Sequence, residues 1–115
     1  MEIEIGRTRI GDVVEANAAS LAENTALAYY EYGFRMSFSE FREQCNRVAK
    51  GLMALGMERG DHFAFWSHNL PQWVYTQFGS AKMGGVMVTV NTNFRAFELE
   101  YLLQQSDATT LILTG

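Results

Sequence analysis

Two short apolar runs with a helix-length spacer between them constrain this chain more than any other feature. Phe63–Trp66 is the first run, Val86–Val90 the second, and Trp73–Met83 between them carries helical spacing. The punctuation agrees, since His68-Asn69-Leu70-Pro71 closes the first run and Gly84-Gly85 closes the spacer. Parallel strands need a crossover of about a dozen residues or more, usually a helix, and that crossover is nearly always right-handed. Gly60–Asn91 therefore reads as a βαβ unit. A parallel sheet is buried on both faces, so the flanking segments must supply further helices.

They do. Ile10-Gly11-Asp12 opens a helix running to about Ala22, with Asp12 or Gly11 as its cap. Thr25–Glu31 and Phe34–Met36 flank Gly33 and predict a hairpin, with the glycine taking the positive-φ position. Ser37-Phe38-Ser39-Glu40 has the S-x-x-E spacing of a capping box. In the helix that follows, Phe38, Phe41, Cys45, Val48, Leu52 and Leu55 share one stripe, while Arg42, Glu43, Arg47 and Lys50 face outward. Gly56 is placed as the residue just past its end. Asn69 to Gln72 is again box-like, with Pro71 in the first turn, where its missing N–H costs nothing. A further helix over Arg95–Gln105 buries Leu99, Leu102 and Leu103, and Thr109–Thr114 forms a third apolar strand. Residues 1–9 carry no clear period. The order after Gly33 is α, β, α, β, α, β. The fold class is thus α/β: an open, mostly parallel sheet with helices on both faces and an N-terminal hairpin. Gly115 falls one residue past a buried strand, as expected of a truncated domain.

Composition narrows the partners. A chain of 115 residues, 48% of them apolar, fits one domain with an ample core. Nine basic against thirteen acidic residues, with no Lys/Arg run, argue against nucleic acid. No apolar run approaches the roughly 20 residues of a membrane span. The acidic start Met1-Glu2-Ile3-Glu4-Ile5 is unlike a signal peptide, so a cytoplasmic domain is expected. Reactive groups are sparse. Gly79, Gly84 and Gly85 do not make a dinucleotide fingerprint, and a P-loop is absent. His62 and His68 have no Cys or third His beside them, so they read as surface or loop residues and no metal site is assigned. Ser67 and His68 are neighbours whose side chains should point apart, and Glu98 and Glu100 diverge on their helix. Cys45, the sole cysteine, lies on a buried stripe and reads as core, as do Trp66 and Trp73. Helix N-termini near Asn69 and Arg95 offer outward amides that could meet a phosphate. From the residues alone no catalytic centre is assigned.

The order of segments resembles the N-terminal portion of the AMP-forming acyl-CoA synthetases, in the adenylate-forming superfamily. Arg35–Phe41 is similar to the family's first core motif, usually Leu-Thr-Tyr-x-Glu-Leu. Gly56–Phe65 resembles Gly-x-x-x-Gly-Asp-x-Val-Ala-Ile, and Asn69–Trp73 resembles Asn-x-Pro-Glu-Trp. Ala81–Val86 with Asn91 looks like the second core motif, and Arg95–Leu103 fits Arg-x-x-Glu-Leu-x-Tyr-x-Leu. Each fragment is weak alone; in order, at matching spacing from about Ile10 to Leu113, they are specific.

The resemblance implies a two-step reaction. ATP and a carboxylic acid, commonly a fatty or other apolar one, give an acyl-adenylate and pyrophosphate, and CoA then takes the acyl group with Mg²⁺ assisting the first step. It implies that residues 1–115 are a partial N-terminal domain whose main partner is the rest of the same polypeptide. The phosphate loop, the nucleotide contacts and the mobile-domain lysine would lie beyond residue 115. The fragment is then expected to be inactive, to bind no ATP, Mg²⁺ or CoA by itself, and to self-associate through faces meant for its missing half. Arg95 is the one cofactor residue the resemblance suggests, through a CoA phosphate; capping the helix or pairing with Glu98 is the plainer role. The rival is a standalone α/β binding or interaction module without enzymatic activity.

Overall fold

A computed structural model describes Gly6 and residues 8–114; residues 1–5, 7 and 115 lie outside the described residues. The first helix, α1, spans Ile10–Ser20 and begins one turn earlier than its Asp12 suggested. Arg9 is the cap residue, and the Asp12 carboxylate reaches back to accept the Arg9 N–H at 3.0 Å. A guanidinium has no acceptor, so only this return half of a capping box can form. Val14 and Ala18, four apart, are the buried residues of α1.

Strands β1 (Thr25–Tyr29) and β2 (Phe34–Ser37) pair antiparallel, with Leu27 opposite Met36 and Tyr29 opposite Phe34. A 3-10 turn over Tyr30–Tyr32 joins them, and Gly33 at φ 62° completes the reversal. The capping box then starts α2 (Phe38–Ala54) as expected. The Glu40 N–H donates to the Ser37 hydroxyl and the Ser37 N–H donates to Glu40 Oε1, both at 3.2 Å. Those hydrogen bonds with Ser37 hold the Glu40 carboxyl below its ordinary value.

The end of α2 corrects the expected stripe. Phe41, Cys45 and Leu52 are buried, but Leu55 is 77% exposed. Leu55 is the C-cap, and the chain turns away there through Gly56 at φ 95°. The Gly56 N–H bonds the Met53 carbonyl and the Met57 N–H bonds the Leu52 carbonyl, the paired bonds of a Schellman motif. That motif brings its own apolar contact: Met57 joins Leu52 in the core, taking the place the periodicity gave to Leu55.

The central unit follows as β3 (His62–Trp66), α3 (Pro71–Met83), β4 (Val86–Thr89), α4 (Ala96–Ser106) and β5 (Ala108–Leu113). All three strands are parallel in the order β4-β3-β5, so the first-made strand is central. The cap of α3 is Leu70, with Pro71 as the first helical residue; Asn69 instead accepts the Tyr29 hydroxyl at 2.7 Å and ties the hairpin to this loop. Gly84, at φ 84°, ends α3.

The two crossovers run from β3 outward to β4, and from β4 back across β3 to β5. Right-handed connections in opposite directions place α3 and α4 on opposite faces. The alternation along β3 agrees. Phe63 and Phe65 pack with Leu52, Met57 and Trp73 on the side of α2 and α3, while His62 Nδ1 lies 2.6 Å from the Ser106 carbonyl at the end of α4. A second cluster, Val14, Phe41 and Cys45 with Met36, Val74 and Phe78, joins α1, α2, α3 and the hairpin.

Helices α2 and α3 are in close contact at Gly79. A Cβ there would stand 2.7 Å from the Cys45 carbonyl oxygen and 2.8 Å from Val48 Cβ. Beside this contact, Lys82 on α3 bonds both Glu15 on α1 and Asn46 on α2. The hydrogen bond from Lys82 is the main reason the Glu15 carboxyl titrates below its usual range. By contrast α4 buries none of its residues, and Phe97 (81% exposed) and Tyr101 (62%) stand one turn apart on it.

Candidate functional site at the carboxyl edge of the sheet

Strand β3 hands the chain to α3 on one face and its neighbour β4 hands it to α4 on the other. In open α/β sheets ligands bind in the crevice outside the strand carboxyl ends, where adjacent connections part in this way. The structure has a recess of about 340 Å³ at that edge, lined by Trp66, Ser67, His68, Thr92, Leu113 and Thr114. Each residue lies at or just past the end of a strand, so the lining comes from all three. Sequence reasoning had no reason to group Ser67, Thr92 and Thr114, because they meet only once the strand order is known.

The Ser67 and Thr114 hydroxyls of the recess are already engaged. The Ser67 hydroxyl donates to the His68 backbone carbonyl at 2.9 Å and lies 3.4 Å from the Thr114 hydroxyl. Ser67 is therefore not presented to the exposed His68 imidazole as a nucleophile would be to its base. His62 and His68 belong to opposite ends of β3, and among the described residues no group of three His, Cys, Asp or Glu gathers as a metal would need. Trp66 lines this recess half-buried, whereas Trp73 packs edge-on to Phe65 with ring centroids 6.3 Å apart.

Arg95 lies on the same edge, after β4. Asn91 shapes the approach by accepting the Asn93 N–H on its side chain at 2.9 Å and the Phe94 N–H on its carbonyl at 3.0 Å. Arg95 is then the exposed cap residue of α4, and Glu98 accepts its backbone N–H. The capping role expected of this pair is thus made by the Arg95 backbone, which leaves the guanidinium in solvent.

Cys45 is fully buried, and desolvation pushes its thiol up to about 11. The native chain is expected to resist iodoacetamide at pH 8 and to react stoichiometrically only after unfolding in urea. Full alkylation of the native chain, read by mass spectrometry, would show that α2 and α3 part more readily than this packing allows.

Comparison with known proteins places the chain in a family. The family model described as "AMP-binding enzyme" matches residues 14–114. The chain is 43% identical over 110 residues to a protein named putative acyl-CoA synthetase YngI, from Bacillus subtilis (strain 168), covering 96% of this chain and 20% of that protein. It is 32% identical over 96 residues to the rat mitochondrial medium-chain acyl-CoA ligase ACSF2, covering 84% of this chain and 16% of the relative. Among solved structures, the inhibitor-bound N-terminal domain of FACL13 from Mycobacterium tuberculosis superposes with a TM-score of 0.88 at 28% identity, over 91% of this chain and 26% of that one. The chain thus spans about a fifth of the length of the curated relatives it matches. The family model covers nearly the whole chain, which belongs to the AMP-binding enzyme family.

Proposed function

We propose that residues 1–115 form a partial N-terminal domain of an AMP-forming acyl-CoA synthetase. The observation carrying this reading is the match over nearly the whole chain to acyl-CoA synthetases several times its length. In the parent reaction a carboxylate oxygen attacks the α-phosphorus of ATP and pyrophosphate leaves. The CoA sulfur then attacks the acyl carbonyl, and AMP leaves. Names of relatives that include medium-chain and fatty acyl substrates favour an apolar acid.

This chain contributes the walls. The core under β3 fixes the three strand ends that shape the recess, and the loop after β4 sets the position of Arg95. A guanidinium in solvent at a carboxyl-edge loop suits a phosphate of CoA, the role proposed for Arg95. Mg²⁺, when bound, would offset charge on the triphosphate. The described residues gather no ligand set for it, so no step is assigned to it on this chain. The outward Phe97 and Tyr101 support the reading that α4 is covered by the rest of the polypeptide, or by a second copy when the fragment is alone. A cytoplasmic setting completes the proposal, and among the described residues no helix is long and apolar enough to cross a membrane.

A chimera tests it. Residues 14–114 replace the matching segment of the Bacillus subtilis relative, and the product is assayed for carboxylate-dependent pyrophosphate release and for acyl-CoA. Both activities are expected from the chimera and neither from the isolated chain. Arg95→Ala in the chimera should raise the KM for CoA while leaving first-step pyrophosphate release unchanged. Turnover by the isolated chain overturns the proposal, and an unchanged KM for CoA overturns the role of Arg95.

A further inference from the structure

The amino-terminal edge of the sheet carries a second recess, remote from the one between the strand carboxyl ends. It is small, about 170 Å³, and is lined by Arg9, Arg59, Ala81, Lys82, Met83 and Gly84. Three basic residues from three elements line it: Arg9 caps α1, Arg59 sits in the turn before β3, and Lys82 is in the last turn of α3. The lining contains no carboxylate, although acidic residues outnumber basic ones in the chain by thirteen to nine.

Of the nearby carboxylates, two are committed to backbone amides and the third neutralises Lys82. Asp12 accepts the Arg9 backbone N–H, Asp61 accepts the Glu58 backbone N–H, and Glu15 bonds Lys82 and lies 3.6 Å from Arg42. Glu15 is the carboxylate of both ion pairs formed among the described residues, so neither the Arg9 nor the Arg59 guanidinium has an acidic partner there. Lys82 is held by Glu15 and Asn46 and forms a fixed wall.

Two glycines let these cations close in. At Gly84 a Cβ would stand 2.7 Å from Arg59 Cγ, so the arginine stem lies across the bare end of α3. At Gly11 a Cβ would stand 3.0 Å from Lys82 Cγ, so the lysine stem lies against the first turn of α1. The Arg59 stem is therefore braced by backbone, which lowers the entropy lost when its head orders around an anion.

We propose that this recess binds a small phosphate-type oxyanion from solution, with Arg9 and Arg59 supplying planar donors and the Lys82 stem a fixed wall. Guanidinium donors match phosphate oxygens in pairs. The volume falls below the roughly 300–1,000 Å³ of ordinary ligand pockets, which favours phosphate or pyrophosphate over a nucleotide. The site lies at the opposite edge of the sheet from Arg95 and does not depend on the acyl-CoA synthetase reading.

Calorimetric titration of the 115-residue chain with sodium pyrophosphate at low ionic strength should give one site whose affinity falls as salt rises. Arg9→Gln and Arg59→Gln should each weaken it about tenfold or more, the size expected for a lost charge-assisted hydrogen bond. Lys50→Gln, a change of equal charge on the exposed side of α2, should leave it unaltered. Amide chemical shifts of the unsubstituted chain provide a readout independent of any variant's folding, and Gly11 and Gly84 should move on titration. Shifts confined to Asn91–Arg95, or equal affinity in an Arg9→Gln/Arg59→Gln double variant, overturn the proposal. So does binding to phosphatidic acid vesicles without binding of free pyrophosphate, since a lipid surface would then be the source of the anion.

Discussion

Replacing Gly79 by valine is expected to separate α2 from α3 and to lower stability by about 3 kcal/mol or more. The atoms in the way are the Cys45 carbonyl oxygen at 2.7 Å and Val48 Cβ at 2.8 Å. Neither can swing aside as the far end of a flexible side chain could. Alanine sharpens the test because two effects oppose each other. Helix propensity favours alanine over glycine by about 1 kcal/mol, while forcing a methyl into a filled interface costs about 1–3 kcal/mol. The rigidity of both neighbours decides for the clash, so Gly79→Ala should also lower the urea midpoint, by less than Gly79→Val. The valine variant should in addition admit iodoacetamide to Cys45, since that thiol is shielded by the same helix contact. A Gly79→Ala chain as stable as the parent would mean that α2 and α3 can slide apart at little cost.

Phe63→Ala is the second large effect, with an expected loss of about 3–5 kcal/mol. Phe63 is fully buried and is the largest such side chain, packed with Leu52, Met57 and Phe65 beneath the central strand. Removing its ring leaves a cavity bounded by two helices and a sheet, which cannot all collapse inward together. Domains of this kind are stable by only about 5–15 kcal/mol, so a large share of the fold's margin would go. Phe97→Ala, on the outer side of α4, is the paired control and should move stability by no more than about 0.5 kcal/mol. Similar urea midpoints for the two variants would contradict the assignment of the core to the α2–α3 side of the sheet.

Where backbone chemistry is local, the sequence was readable. Ser37 and Glu40 lie three apart and face the same orphan amides, so the start of α2 followed from spacing alone. The βαβ unit was equally plain, because Phe63–Trp66 and Val86–Thr89 have too few residues for helices and too much between them for a hairpin. Errors arose where a residue's role depends on a neighbour's position. Asp12 has the composition of a cap but acts from the third helical position on Arg9. Asn69 has it too, yet its side chain is taken by Tyr29, forty residues earlier in the chain. Leu55 fits the periodicity of α2, and only the Schellman turn shows that Met57 replaces it. Both recesses were hidden for the same reason. Their residues come from the ends of separate elements, and no window along the chain contains them.

The order β4-β3-β5 has a consequence for the chain as it leaves the ribosome. The middle strand is made before either of its neighbours: His62 must wait first for Val86 and then for Ala108. During that interval Phe63-Ala64-Phe65 is an apolar ribbon with two unpaired edges, the kind of segment that invites association with other nascent chains. Helix α2 and Met57 are already synthesised by then and can cover the phenylalanine side at once. The opposite side has no such early guardian until α4 emerges, which makes it the side a chaperone would be expected to grip.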